Sequence, residues 1–199
     1  MKLLLYCTKG KPYLLDLRNE FENIKFDVFN GKEALNTGWR ILNGKIVAEC
    51  DYEVEKITTT RFNHSTEDYD LIYETETLSY DELLEQSCLD NNELDDYLQA
   101  ENGYAIHIKN LHIFDKPKEL REYLTCKGKY EINNFHAISK APQNMIYAFK
   151  CIFKPFDRRL ERYVLISIQP QWLCKILNGE KTIEVRKKVL KEMVENESN

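Results

Sequence analysis

The sequence predicts an α+β fold, a small curved sheet or barrel with short helices at its rim. Three observations carry this. Several segments alternate apolar and polar residues at the strand period of two. The helical patterns are short and do not alternate with strands in a βαβ rhythm. Twelve Tyr and nine Phe favour pleated, half-buried surfaces. At 199 residues and 43% apolar content, the chain is long enough for one well-filled core and short for two, so a single domain over 1–199 is expected.

The elements follow in chain order. Residues 2–8, "KLLLYCT", read as a short strand stopped by "KGKPY". "NG" at 43–44 makes a turn before "GKIVAECDYEVEKI" (44–57), the clearest strand. There Ile46, Ala48, Cys50, Tyr52 and Val54 alternate with Val47, Glu49, Asp51, Glu53 and Glu55, giving one apolar face and one mostly acidic face. Residues 58–77 lack sustained periodicity and open an acidic, partly helical excursion at about 58–101. Within it, 78–99 predicts one or two short helices. Ser79 caps the first, with Glu82 at capping-box spacing. Residues 103–120 predict a strand with a bulge at Lys109–Asn110, then a short helix with Pro117 in its first turn. Segments 144–153 and 163–169 are further strands, separated by the pattern-breaking "KPFDRRLER". "PQWLCKILNG" predicts a two-turn helix with Pro170 at its start and Gly179 just past its end. In "TIEVR", Ile183 and Val185 face one way, and Thr182, Glu184 and Arg186 the other. Val189, Leu190, Met193 and Val194 have the spacing of a terminal helix.

The formal charge of -5 excludes an argument for nucleic-acid binding from the whole molecule. The charge is unevenly placed, however. Glu67 to Glu101 holds thirteen acids and no Lys or Arg, whereas Asp157 to Lys191 holds nine basic residues against four acids. A local basic face on an acidic protein follows from the second stretch, and a solvated helix face or a site for a basic partner from the first. The six Cys form no CxxC pair and no zinc-ligand spacing with His, so neither metal nor cofactor is expected. Cys50 and Cys174 lie in apolar patterns and read as core. No signal-peptide pattern and no apolar run near transmembrane length is found, which leads to the expectation of a reduced, cytoplasmic protein without a membrane partner.

Lys181, Glu184 and Arg186 fall within six residues, at the start of a strand that follows a Gly-ended helix. Side chains at such a boundary frequently rim a cleft. Arg186 suits a bidentate phosphate contact and Lys181 a point charge, while Glu184 suits a base edge or the positioning of Arg186. The competing reading is a surface ion pair between Glu184 and Arg186. "TKGKPY" adds Lys9, Lys11 and Tyr13 on a turn, two cations beside an aromatic ring that suit a phosphate with a stacked base. The same turn also fits plain solvation, with Tyr13 packed on the core. His107 faces away from the apolar side of its strand, towards ligand or solvent; His112 reads as surface. Trp39 stacks a base or caps the core. Arg158, Arg159 and Arg162 either thicken a basic rim or pair locally with Asp157 and Glu161.

"ISIQPQWLCKILNGEKTIEVRK" resembles the opening strand–helix–strand of ASCH domains, with the G-x-K-x-x-E-x-R run met by Gly179, Lys181, Glu184 and Arg186. "YCTKGKPYL", "NGKIVAE", "NGYAIHIKNLHIFDKPKEL" and "KAPQNMIYA" resemble further segments of the longer ASCH-like proteins of phages and mobile elements. The resemblance implies a small PUA-like β-barrel with short helices at the rim and a cleft that binds RNA or a nucleotide. Lys9, Lys11, Tyr13, Lys181, Glu184 and Arg186 would line that cleft. In some branches it implies a hydrolase on modified nucleosides or RNA, an amidohydrolase or ribonuclease, with Lys181 as base or nucleophile and Glu184 as general acid/base. The Thr of the amidohydrolase branch is replaced here by Glu184, and Gln169 stands where many relatives have Lys. The signature segment, 163–190, closes the chain here, whereas in the family it opens it. The order therefore reads as a circular permutation, which asks that the strand at 182–186 lead spatially into that at 2–7, with both in one sheet. The rival to permutation is a rearranged or fused gene whose last segment pairs with another chain. Three functions stay open: RNA or nucleotide binding, hydrolysis, and protein binding through the acidic 67–101 stretch.

Overall fold

The structure, a computed structural model, describes residues 1–9, 44–63, 69–154 and 157–195. These belong to two compact units, Met1–Asp51 with Asn110–Asn178, and Tyr52–Lys109 with Gly179–Asn199. The class is α+β.

In the first unit, β1 (Lys2–Cys7) pairs in parallel with β8 (Asp157–Ile168) and antiparallel with the opening of β2 (Ile46–Asn63). Strand β7 (Met145–Lys154) pairs antiparallel with β8 from Met145↔Ile166 to Lys154↔Asp157. The short strands β5 (Leu124–Cys126) and β6 (Phe135–Ala137) complete the order β6-β5-β7-β8-β1-β2. Among the described residues, the two outer strands of this order do not pair with each other, so this unit's sheet is open. One face buries Leu4, Tyr6, Ile46, Phe114, Tyr123, Ala148, Tyr163 and Leu165 in a common cluster. Helix α3 (Pro170–Asn178) starts at Pro170, buries Leu173, Cys174, Ile176 and Leu177, and lies against β1. Gly179 follows it at φ +81, the left-handed conformation a helix stop requires. Burial pushes the Cys7 and Cys50 thiols up to about 12, so both are inert core groups.

In the second unit, β3 (Tyr69–Glu74) pairs antiparallel with the end of β2, and β9 (Ile183–Arg186) with the start of β4 (Gly103–Lys118). Helices α1 (Tyr80–Ser87) and α2 (Asn91–Leu98) each open on a full capping box, Ser79 with Glu82 and Asp90 with Glu93. Eight residues are too few for a helix to hold alone, so packing decides. Leu83, Leu94 and Leu98 are fully buried with Ile57, Tyr73, Ala105, Ile183 and Val185. A short helix α4 (Lys191–Glu195) buries Met193.

Several expectations need correction. Residues 58–63 and 69–74 form a strand pair, because the β-branched run Ile57–Thr60 continues β2. The helix expected from Pro117 is a single 3-10 turn, Leu120–Glu122; Pro117 lies inside β4, and the residue before a proline favours extended backbone. "DRRLER" does not break the pattern, since it is the first half of β8. Asn110 adopts φ 49 within β4, where the bulge is expected. No described helix is long and apolar enough to cross a membrane.

Candidate functional site

The signature residues sit at the start of β9, and both faces of this strand are covered. Ile183 and Val185 enter the second unit's core. Glu184, on the other face, is 7% exposed, and Lys181, just ahead of the strand, 3%. The Lys181 ammonium donates to the Ser87 carbonyl at 2.5 Å and lies 3.5 Å from Glu184 Oε2. Arg186 Nη2 meets Glu184 Oε1 at 2.9 Å. Glu184 therefore has one oxygen towards each cation. The Thr182 N–H donates to the Gln86 carbonyl at 2.9 Å, so consecutive residues of the signature receive the last two carbonyls of α1. Those carbonyls have no partner within their own helix, and a cation there also suits the helix dipole. Burial holds the Lys181 amine below its ordinary value, and Glu184 offsets part of that effect. The array thus fixes a helix end. The surface ion pair expected as one alternative is instead a buried one.

A second buried carboxylate lies in the same unit. Glu55 accepts from the Thr77 N–H at 2.5 Å and the Thr77 hydroxyl at 2.9 Å, and stands 3.0 Å from His107 Nε2. Burial alone would raise its pKa; the Thr77 and His107 contacts outweigh that and hold the carboxyl below its ordinary value. His107 does face away from the apolar side, but it faces a carboxylate on the neighbouring strand. The acidic face expected of β2 is here a hydrogen-bonded interior.

The first unit carries an open cleft of about 730 Å³. Its floor is Tyr6, Leu120 and Ile138; its cations are Lys9, Arg121 and Lys140. Lys9 follows the end of β1, where Thr8 N–H is fixed to the Ile168 carbonyl at 2.9 Å. Its alkyl stem crosses Gly44, which has φ +80, and a Cβ there would come within 3.0 Å of Lys9 Cε. Glycine is thus needed both for the turn and for the passage of the lysine. Arg121 projects from the 3-10 turn, which is closed by Glu119 N–H donating to the Glu122 carboxylate at 2.7 Å. Lys140 lies on a loop held at both ends. Ile138 N–H bonds the Tyr123 carbonyl, and the Ser167 hydroxyl bonds the Pro142 carbonyl at 2.7 Å. Ser167 belongs to the "SI-x-P" segment, so that segment positions a cleft residue. Among the described lining residues the one carboxylate, Glu119, is bonded to Lys45; that bond, with Arg121 and Lys9 nearby, keeps its carboxyl low and ionised. Among the described lining residues, three cations against one neutralised carboxylate make the cleft's charge positive.

Of the expected site residues, Lys9 lines this cleft and Lys181, Glu184 and Arg186 form the buried array. Lys11, Tyr13 and Trp39 lie outside the described residues. Arg159 pairs locally with Glu161 at 3.3 Å, and His112 is exposed. Arg121 and Lys140 were not singled out in the sequence. Each is a single cation in a mixed segment, and only the fold brings them beside Lys9. Among the described residues no group of His, Cys, Asp and Glu is arranged to hold a metal ion. No protein-family model matches the chain, and no similar curated protein or solved structure is found.

Proposed function

We propose that this protein binds RNA or a nucleotide through phosphate contacts in the cleft of Lys9, Arg121 and Lys140. The observation that carries the reading is the convergence of three cations from separate segments on one apolar-floored concavity. Arg121 offers a fork to two phosphate oxygens, and Lys9 and Lys140 act as point charges. Thr8 and Ser139 add hydroxyls, and Tyr6, Leu120 and Ile138 an apolar bed for a base or sugar. The resemblance to ASCH domains supports the same reading, with the fold as the PUA-like barrel of that family and the reduced cytoplasm as its compartment.

Binding is favoured over hydrolysis because Lys181 is buried on a helix end and Glu184 is held between Lys181 and Arg186. The acids of α1 and α2 are partly consumed as capping groups, which favours a solvated, capped surface over a partner site.

Fluorescence anisotropy with a labelled single-stranded RNA and with a labelled nucleotide tests the proposal. Each lysine contact to phosphate adds about one to the salt slope, so Lys9→Met with Lys140→Met should reduce the slope by about two. Wild-type affinity and slope in the double variant would refute it.

A further inference from the structure

Lys118, at the end of β4, and Lys150, in β7, each lie over a ring of the same aromatic cluster in the first unit, close enough for their charges to act on one another. Lys118 Nζ lies 3.6 Å from the centroid of Phe114, and Lys150 Nζ 5.4 Å from that of Tyr123. Tyr123 meets Tyr163 edge-on at 5.8 Å, and all three rings belong to one buried cluster. Both lysines are half-buried, and neither lines the Lys9 cleft.

The carboxylates around them are otherwise occupied. Glu49 takes Lys2 at 3.2 Å and has His112 at 3.8 Å. Glu161 accepts from the Tyr163 hydroxyl at 2.6 Å and pairs with Arg159. Glu122 caps Glu119 N–H. Among the described residues, no carboxylate comes within ion-pair distance of either Lys118 or Lys150. Burial, and then the neighbouring Lys150 charge, hold the Lys118 amine below its ordinary value, against weaker pulls from Glu49 and Glu122.

Two adjacent ammonium groups repel, and the ring faces beneath them offset that only in part. A carboxylate would neutralise one of them. A phosphate dianion matches both charges and accepts from both on separate oxygens. We propose that Lys118 and Lys150 form a binding position for a phosphate dianion, free or as a monoester. The position is independent of the Lys9 cleft.

Competitive trace acetylation of the full chain, read by mass spectrometry, tests this with inorganic phosphate and with glycerol phosphate as separate probes. Phosphate should protect Lys118 and Lys150 together, while exposed Lys116 is unaffected. Lys150→Met and Lys118→Met keep the alkyl stem on its ring; each should lower phosphate affinity about tenfold, the value of one charge-assisted hydrogen bond, and remove protection of the remaining lysine. Protection by the ester alone assigns the position to monoesters; protection by both assigns it to the phosphate group. Protection equal to that given by chloride at matched ionic strength, or protection that survives Lys150→Met, would overturn the proposal. Lys9→Met with Lys140→Met should leave the protection unchanged, so this position and the cleft can fail separately.

Discussion

Replacing Lys181 with Met tests whether the buried charges of β9 hold the end of α1. The substitution keeps the stem and removes the ammonium that donates to the Ser87 carbonyl at 2.5 Å and approaches Glu184 at 3.5 Å. A buried carbonyl left without its donor costs about 1–3 kcal/mol. Breaking a buried ion pair from one side costs about 3–5 kcal/mol. Arg186 still serves Glu184 at 2.9 Å, so the two costs do not add, and a loss of about 3 kcal/mol is expected. For a chain of this length that corresponds to a fall in Tm of roughly 6–12 °C. Urea and thermal unfolding measure it, and amide exchange at Ser87 to Leu89 should accelerate with it. The sign with pH is also fixed. The Lys181 amine is lowered in the folded state, so the unfolded chain binds more protons just below the ordinary lysine range. Wild-type stability gains a term that rises with pH up to that range, and the Met variant should lack it. A loss under about 0.5 kcal/mol, the scale of an ordinary surface change, would refute the reasoning.

Glu55 gives the opposite limb. Its folded pKa is lowered, so its stabilisation is present above the ordinary carboxylate range and is lost as pH falls through the lower folded value. Glu55→Gln should flatten acid unfolding in that window, measured by circular dichroism against pH. At Gly103 a Cβ would fall 2.7 Å from Leu98 Cδ2 and 3.3 Å from the Arg186 carbonyl. Gly103→Ala should therefore cost about 1–3 kcal/mol by forcing a buried leucine aside, read as a lower urea midpoint.

Much of the local structure was legible because it rests on local rules. Ser79 and Glu82 form the expected box, Pro170 and Gly179 bound α3, and Cys50 and Cys174 are core. What stayed hidden depends on partners distant in sequence. The polar face of β2 reads as solvated, yet Glu55 is buried because Thr77 and His107 arrive from elsewhere. The residues of β3 read as irregular because their pairing with β2 matters more than their own periodicity. Lys181 could be singled out as a special charge, but its use as a helix lid required knowing where α1 ends. The cleft was visible only through Lys9. Arg121 and Lys140 carry no pattern of their own, and the turn and the Ser167 tether that aim them are tertiary features.

The lid on α1 also sets an order of events during synthesis. Ser87 waits for a residue 94 positions further along the chain, and β9 must then settle beside β4. A nascent chain halted before residue 181 would carry α1 with its final carbonyls bare and a core wall missing, a species prone to stick to others. Closure over so long a separation is slow compared with local helix formation. The second unit should therefore be the late-maturing part of the molecule, and the one most dependent on folding assistance.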